Sequence, residues 1–216
     1  MKTIINNHIE SLVGRYPLLA VCKEPIQEAY DLLKSAYSEG CKLLVCGNGG
    51  SASDSEHIVG ELMKEFKLKR KIYKDQAEAM KQIDLELGTV LANHLQGALP
   101  TISLTGHSSL TTAFMNDSLP DLIFAQQVYG YGKPHDVFLG ISTSGNSRNV
   151  LYAAVAAKAK DMKVIGLTGQ RHCRLAELAD ICIQVPETET YKIQELHLPV
   201  YHCLCMMLEE HFFGNK

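Results

Sequence analysis

Five short apolar runs, separated by stretches of helical composition, constrain the fold of this chain more than any other feature. They are Lys42–Cys46, Thr101–Leu104, Val137–Ile141, Val164–Leu167 and Ile181–Val185. Each run is nearly continuous in apolar residues and ends near a cluster of Gly, Ser or Thr, which is typical of parallel strands covered on both faces. The alternation of such strands with helices predicts an α/β fold, a three-layer sandwich around a five-stranded parallel sheet.

Helical patterns fill the intervals between these runs. The predicted helices lie near residues 3–13 and 24–39, and then at Ser53–Phe66, Leu119–Tyr129, Asn149–Lys160, Cys173–Leu178 and Tyr191–Phe212. The segment 67–100 fits no ordinary turn between a strand and a helix, and Asp75–Leu91 within it has helical composition. We therefore expect one domain over residues 1–216, with N-terminal helices in 1–40 and an inserted helical segment in 67–100.

Charge and cysteine usage limit the classes of function. A formal net charge of −3 over 216 residues gives no footprint for nucleic acid or an anionic membrane, and the basic run Lys67–Lys71 reads as a solvated loop or helix end. The seven cysteines form no CxxC pair and fall mostly in apolar stretches, as expected of reduced core thiols. Residues Met1–Asn7 lack the apolar region of a signal peptide, and no run approaches a membrane span. We expect a cytoplasmic protein.

A glycine-rich segment, Cys46-Gly-Asn-Gly-Gly-Ser-Ala-Ser53, follows the first predicted strand. Its glycines allow close backbone approach, and Asn48 and the serines supply donors at the start of a helix. A plain turn between a strand and a helix would explain these residues equally well. The segment lacks the lysine of a P-loop and the third glycine of a dinucleotide fingerprint, which disfavours nucleotide binding.

A hydroxyl-rich segment, Gly140-Ile-Ser-Thr-Ser-Gly-Asn-Ser147, follows the third predicted strand. Four hydroxyl groups, at Ser142, Thr143, Ser144 and Ser147, precede a helix, where free backbone N–H groups and the helix dipole favour an anion. A simple helix cap needs one such hydroxyl. The four together predict a phosphate-binding loop.

Two predicted helices carry candidates for a metal or for acid–base chemistry. His57 and Glu61 stand at positions i and i+4, so they share one helix face, although such a pair alone is commonly a surface contact. Gln194 and His202 stand eight positions apart on the last helix and share a face at different heights. Two histidines, a carboxylate and an amide oxygen suit Zn²⁺ or Ni²⁺, but spacing alone leaves open whether the two pairs meet.

The last helix has two further features. His197 points away from Gln194 and His202, which favours a packing role or a place behind the site, and Pro199 should kink the helix or end its first part. The stretch 196–213 is apolar on more sides than one monomer face can cover, which predicts an oligomer.

These motifs together resemble the SIS (sugar isomerase) domain and, more narrowly, the phosphoheptose isomerases. The resemblance extends over residues 40–212, interrupted by the inserted segment. It is carried by the glycine-rich and hydroxyl-rich segments, His57-x-x-x-Glu61, Ile165-Gly-Leu-Thr-Gly169, and Ile193-Gln-Glu-x-His197 with His202. It implies a flavodoxin-like fold and a tetramer with active sites between subunits.

The resemblance also implies a reaction and a set of residues that perform it. The reaction is the interconversion of sedoheptulose 7-phosphate and D-glycero-D-manno-heptose 7-phosphate through an enediol. Zinc would be bound by His57, Glu61, Gln194 and His202, of which Glu61 and His202 would also form the acid–base pair. The implied substrate contacts are Asn48, Gly49, Gly50, Ser51, Asn116, Asp117, Ser142, Thr143, Ser144, Ser147 and Gln194.

Three departures from the family pattern leave the sugar open: the inserted segment, Tyr191 before the Gln-Glu pair, and Glu65 where a basic residue is common. Two alternatives follow. One is a non-catalytic SIS protein, either a sugar-phosphate sensor or a partner in replication initiation, although such proteins lack a histidine at the position of His202. The other is an SIS enzyme for a different ketose or for an amino-sugar phosphate.

Overall fold

The computed structural model describes residues 2–214, with side chains from residue 7 onward, and its centre is a sheet of five parallel strands. The strands are β1 (Leu43–Cys46), β2 (Thr101–Ser103), β3 (Val137–Ile141), β4 (Lys163–Gly169) and β5 (Ile181–Val185), in the order β2-β1-β3-β4-β5. Four of them lie within the predicted runs, while β4 begins one residue before and ends two residues after the predicted Val164–Leu167. The strand order is that of flavodoxin-like sheets. Strands β1 and β3 are buried along their whole length, which explains their continuous apolar sequence.

Ten α-helices occur among the described residues and cover both faces of the sheet. They are α1 (Lys2–Arg15), α2 (Lys23–Ser38), α3 (Gly50–Met63), α4 (Lys74–Ile83), α5 (Leu85–His94), α6 (Ser108–Asp117), α7 (Ile123–Tyr131), α8 (Arg148–Ala159), α9 (Arg174–Leu178) and α10 (Thr190–Phe213). Apolar residues of α1, α2, α3 and α10 form the core on one face, and those of α7, α8 and α9 form the core on the other. The predicted three-layer sandwich is therefore confirmed.

The order in which strands are added to the sheet switches at β1 and β3, which are parallel neighbours: β2 lies on one side of β1, and β3, β4 and β5 follow on the other. Backbone pairing joins Leu43 to Val137 and continues to Cys46 with Gly140, so the carboxyl ends of the two strands lie side by side. Ligands of open parallel sheets bind at this kind of switch point. The glycine-rich and hydroxyl-rich segments, which follow β1 and β3, therefore meet at one edge of the sheet.

The inserted segment contains two helices where we predicted one. Asp84 interrupts the helical pattern with an extended backbone, and its side chain accepts a hydrogen bond from Leu87 N (2.8 Å) as the cap of α5. A Cβ atom at Gly88 would lie 2.3 Å from Met80 O, so α5 packs closely against α4. At the base of the hairpin formed by α4 and α5, the two ends of the segment are joined by an antiparallel bridge between Lys71 and Gln96.

Two further helix predictions were wrong in detail. Helix α6 was not predicted, because Ser108–Asp117 is rich in Ser and Thr and buries none of its residues, so its sequence has no apolar face. The predicted helix at Leu119–Tyr129 is a short 3₁₀ turn, Pro120–Leu122, followed by α7.

Helix α10 runs without interruption through Pro199, which was expected to kink it or end its first part. Proline removes one backbone hydrogen bond, but the buried neighbours Val200 and Tyr201 continue the packing on its far side. The apolar sides of α10 are covered by α1, α2, α3 and the sheet of the same chain. Its composition therefore reflects a central position in the fold and does not by itself indicate an oligomer.

The cysteines confirm the prediction of core thiols. All seven are free, and five are buried: Cys22, Cys46, Cys173, Cys203 and Cys205. Within residues 2–214, none of the helices has the length and apolar character needed to cross a membrane.

Candidate active site

The two predicted binding segments are joined by a pair of amide side chains. Asn48 donates through Nδ2 to Asn149 Oδ1 (2.9 Å), and Asn149 donates through Nδ2 to Asn48 Oδ1 (2.8 Å). Asn149 lies in the first turn of α8, directly after the hydroxyl-rich segment. The glycine-rich segment at the start of α3 and the hydroxyl-rich segment at the start of α8 thus form one polar surface.

The hydroxyl-rich segment turns tightly at Gly145, whose φ of +62° favours glycine. A Cβ atom there would lie 2.2 Å from Cys173 Sγ, so both conformation and space exclude a larger residue. The buried Ser142 hydroxyl accepts from Gly145 N (3.1 Å) and lies 3.0 Å from Ser147 Oγ. Ser142 therefore shapes the turn, while the exposed Ser144 presents its hydroxyl to solvent beside Thr143.

The glycine-rich segment requires close backbone approach at two positions. A Cβ atom at Gly47 would lie 2.5 Å from Ser51 O, and one at Gly50 would lie 2.6 Å from Gln194 Nε2. Gly49 has a φ of +56°. Helix α3 consequently begins at Gly50, three residues before the predicted start, and its N-terminus lies at the polar surface, where the helix dipole favours an anion.

Three of the four predicted metal ligands come together between α3 and α10. One ligand atom from each of His57, Glu61 and His202 lies within 4.8 Å of the other two. His57 Nε2 is 3.1 Å from Glu61 Oε1 and 3.4 Å from His202 Nε2. Burial, followed by the nearby His57, lowers the pKa of His202, which keeps its imidazole neutral at neutral pH.

A tyrosine and a second carboxylate lie behind His57. The hydroxyl of Tyr201 donates to Asp54 Oδ1 (3.2 Å). The hydroxyl oxygen of Tyr201 is also 3.0 Å from His57 Nδ1. The tyrosine has a single hydroxyl proton. Because that proton is donated in the hydrogen bond to Asp54, the tyrosine oxygen accepts a hydrogen bond from His57 Nδ1–H. His57 Nε2 then carries a lone pair that points toward Glu61 and His202. Neither Tyr201 nor Asp54 could be identified from the sequence, because nothing in their spacing marks the contact.

This arrangement fits a divalent metal ion. In a tetrahedral zinc site with bonds of about 2.0–2.1 Å, neighbouring ligand atoms are about 3.4 Å apart, close to the two separations around His57 Nε2. Glu61 Oε2 is buried and accepts no hydrogen bond from the described residues. Lone pairs of a carboxylate and two imidazoles that face one another repel unless a cation lies between them.

The remaining predicted residues lie at different distances from this trio. The Gln194 amide packs over Gly50, about 10 Å along α3 from His57, so its place in the ligand set stays a prediction. Asn116 and Asp117 are exposed at the end of α6, where Asn116 donates to Asp117 Oδ1 (2.9 Å). His197 is fully buried, as expected of a residue that packs or lies behind the site, and burial lowers its pKa to about 4.

Arg70, in the middle of the basic run, is not solvated as predicted. Lys67, Lys69 and Lys71 are exposed as expected, but Arg70 is only 2% exposed and pairs with the equally buried Glu209 of α10. The correction has a physical reason, since the five donors of a guanidinium can all be used inside the protein. The partner lies 139 positions away, so the local sequence carried no sign of the pair.

The pair of Arg70 and Glu209 holds α3 against α10 beside the trio. Arg70 donates to Glu61 O and Leu62 O (both 2.7 Å) at the C-terminus of α3, and to Glu209 Oε1 (2.8 Å). Glu209 also accepts from the backbone N–H of Phe66 (2.8 Å). The backbone of Glu61 is thus fixed to the helix that carries His202.

The parallel sheet and the hydroxyl-rich segment after β3 are those of an SIS domain, and the SIS domain family model matches residues 83–169. Together with its full-length relatives, this places the chain in the phosphoheptose isomerase family.

The relatives match almost all of the chain. A phosphoheptose isomerase from Rhodospirillum rubrum is 38% identical over 192 residues, which are 89% of this chain and 88% of that protein. One from Aneurinibacillus thermoaerophilus is 34% identical over 219 residues, covering 100% of this chain and 98% of that protein. The solved phosphoheptose isomerase from Neisseria gonorrhoeae superposes with a TM-score of 0.73 at 31% identity, covering 97% of this chain and 98% of that one.

Proposed function

We propose that this protein is an aldose–ketose isomerase that converts sedoheptulose 7-phosphate into D-glycero-D-manno-heptose 7-phosphate through an enediol. The observation that carries the proposal is that α3 begins at the polar surface shared with the hydroxyl-rich segment and also carries His57 and Glu61, which form the trio with His202 of α10. The family membership supports the same reaction. A sensor or a partner in replication initiation has no need of the trio, so these alternatives are not favoured.

The phosphate end of the substrate would lie at the polar surface formed by the starts of α3 and α8. Neutral donors and helix N-termini are enough to bind a phosphate without a lysine. The proposed contacts are Asn48, Gly49, Gly50, Ser51, Ser142, Thr143, Ser144 and Ser147. Gln194, Asn116 and Asp117 are proposed to contact the sugar.

The length of the substrate fits this placement. Ser51 and His57 are six residues apart on α3, a separation of about 9 Å along the helix axis. The carbonyl and the phosphate of an open-chain heptose phosphate lie at opposite ends of the molecule. A long sugar can therefore reach the trio with its phosphate at the start of α3, which a triose phosphate is too short to do.

The proton transfer is assigned to Glu61 and His202. The reaction moves a carbonyl from C2 to C1, so a proton must leave C1 and a proton must arrive at C2. Glu61 would take the C1 proton as a carboxylate, and the neutral imidazole of His202 would exchange the proton between the two oxygens. A divalent ion, proposed as Zn²⁺ on His57, Glu61 and His202 with Gln194, would stabilise the negative charge of the enediolate.

The substrate is tested with a panel of ketose phosphates of five to seven carbons. In D₂O, NMR should show that sedoheptulose 7-phosphate loses its C1 proton signal and forms the aldose faster than the shorter sugars. Exchange with a shorter or an aminated sugar alone would redirect the proposal to a different SIS enzyme. If no sugar exchanges, the isomerase proposal is wrong.

The phosphate loop makes its own prediction. Ser144→Ala removes an exposed hydroxyl that, among the described residues, accepts a hydrogen bond from Asn146 N (3.2 Å). Loss of one hydrogen bond to a charged group costs about 1.5–3 kcal/mol, so substrate affinity should fall about 10- to 150-fold while the fold is kept. Titration with substrate measures the loss. Ser35→Ala, an exposed serine on α2 at the other edge of the sheet, is the control, and an equal affinity in both variants would contradict the prediction.

The oligomer, proposed as a tetramer, also has a test. The hairpin of α4 and α5 exposes Ile83, Leu85 and Leu87, by 87%, 74% and 64%, and a patch of this kind is typical of an interface. Light scattering should therefore detect an oligomer, and Leu85→Glu should weaken it while the exposed Glu78→Gln should not. A stable and active monomer of the unaltered protein would contradict the prediction.

We also propose that residues 1–216 form one SIS domain with a helical insertion at 67–100, and that the protein acts in the cytoplasm.

A further inference from the structure

Tyr201 lies directly beside His202 in sequence, yet its hydroxyl serves the other histidine of the trio. It is 2% exposed, and its ring contacts the rings of both His57 (centroids 5.5 Å apart) and His202 (5.0 Å apart). Its oxygen lies 3.0 Å from His57 Nδ1 and 3.2 Å from Asp54 Oδ1. Asp54 and His57 are three residues apart on α3. The hydroxyl therefore connects two side chains of α3 from a position on α10.

The direction of the hydrogen bonds follows from the number of protons. A carboxylate can only accept a hydrogen bond, so the hydroxyl of Tyr201 donates to Asp54. The tyrosine oxygen in turn accepts a hydrogen bond from His57 Nδ1–H. A phenol is protonated at neutral pH, so the Tyr201 hydroxyl is able to donate. In the order Asp54, Tyr201, His57, the neutral imidazole carries its proton on Nδ1, which leaves Nε2, 3.1 Å from Glu61 Oε1, free to bind a cation.

We propose that Tyr201, oriented by Asp54, is a positioning residue that selects the Nδ1–H tautomer of His57 and thereby prepares the trio to bind a metal ion. The inference rests on the proposed function of the trio. Metal-binding histidines depend on such a partner for their second ring nitrogen, and removal of the partner typically lowers metal affinity about 10- to 100-fold.

The main experiment compares Tyr201→Phe with the unaltered protein. The variant keeps the ring and removes only the hydroxyl. The Zn²⁺ affinity, measured by competition with a chromophoric chelator, should fall about 10- to 100-fold. In the metal-free protein, ¹⁵N NMR of the imidazoles should show His57 as the Nδ1–H tautomer before the change and as a mixture after it. Turnover should fall more than KM changes, and added Zn²⁺ should restore part of it.

Two further variants control for the loss of a buried hydrogen bond. Tyr37→Phe removes a buried tyrosine hydroxyl that donates to Thr101 Oγ1 (2.8 Å) at the amino end of the sheet, and it should leave Zn²⁺ affinity and the His57 tautomer unchanged. Asp54→Asn keeps an acceptor for Tyr201 but removes its charge, so it should give a smaller loss than Tyr201→Phe.

Each outcome decides the inference. If Tyr201→Phe keeps the Zn²⁺ affinity and the Nδ1–H tautomer, or if Tyr37→Phe weakens Zn²⁺ binding equally, Tyr201 has only a packing role. If the unaltered protein isomerises no sugar phosphate, the proposed function fails. The tautomer in the metal-free protein then still decides the role of Tyr201, because that measurement needs neither substrate nor metal.

Discussion

Replacing Glu61 by Gln should lower turnover by about 10² or more, and His202→Ala should do the same, because each removes one member of the proposed acid–base pair. Glu61→Gln preserves the shape of the side chain, so substrate binding should survive. The two ligand-bearing helices are packed together in the folded chain, and both side chains belong to one trio. The double variant should therefore lose little more than the worse single variant, since groups that act as a unit are not additive.

The measurement is turnover at saturating substrate, with the metal content of each variant determined in parallel. Both residues are also proposed ligands, and loss of the metal could imitate loss of the acid or base. Glu65→Gln, four residues after Glu61 and beyond the end of α3, is the matched control and should keep normal turnover. Near-normal turnover of metal-loaded His202→Ala would falsify the acid–base role of that residue and favour a different isomerase.

Removal of divalent metal should have an effect of similar size. The trio presents lone pairs of His57, Glu61 and His202 to one another, and a bound cation both relieves their repulsion and stabilises enediolate charge. We expect chelation to lower turnover by about 10² or more and Zn²⁺ to restore it. Zn²⁺ at 100 times its Kd should also stabilise the folded protein by about 2.7 kcal/mol, measurable as a rise in Tm.

His57→Ala separates the metal from the proton transfer. This residue has no proposed role in the transfer, so its loss should lower Zn²⁺ affinity, and high Zn²⁺ should restore part of the turnover. A chelated protein that is shown to be free of metal and still turns over normally would contradict the proposed zinc site.

The sheet could be predicted from sequence because burial on both faces leaves an unbroken apolar run, as in Val137–Ile141, whose bounds were predicted without error. Helix α6 could not be predicted for the opposite reason. Its ten residues contact little of the core, and no periodic apolar pattern records a helix that buries nothing. The break at Asp84 was hidden by helix-forming residues on both sides, although Asp is a residue that commonly caps the start of a helix.

Within the site, a contact could be predicted only where the two contacting residues are close in sequence. The pair of His57 and Glu61 is visible because four residues make one helical turn. The contact of Tyr201 with His57 spans 144 positions and that of Arg70 with Glu209 spans 139, so only tertiary packing creates them. Arg70 was further concealed by its three lysine neighbours, which are exposed as a basic run normally is.

The bridge between Lys71 and Gln96 has a consequence for how this enzyme can diversify. Because the chain leaves the domain and returns to it at one point, the length of the intervening hairpin is independent of the distance between α3 and β2. Arg70 and Gly97, joined by a backbone hydrogen bond of 3.0 Å, form a closed junction beneath it. The hairpin of α4 and α5 could therefore be replaced by a different segment between Lys71 and Gln96. Other helices, or a short turn, could replace it at this junction without moving the trio of His57, Glu61 and His202.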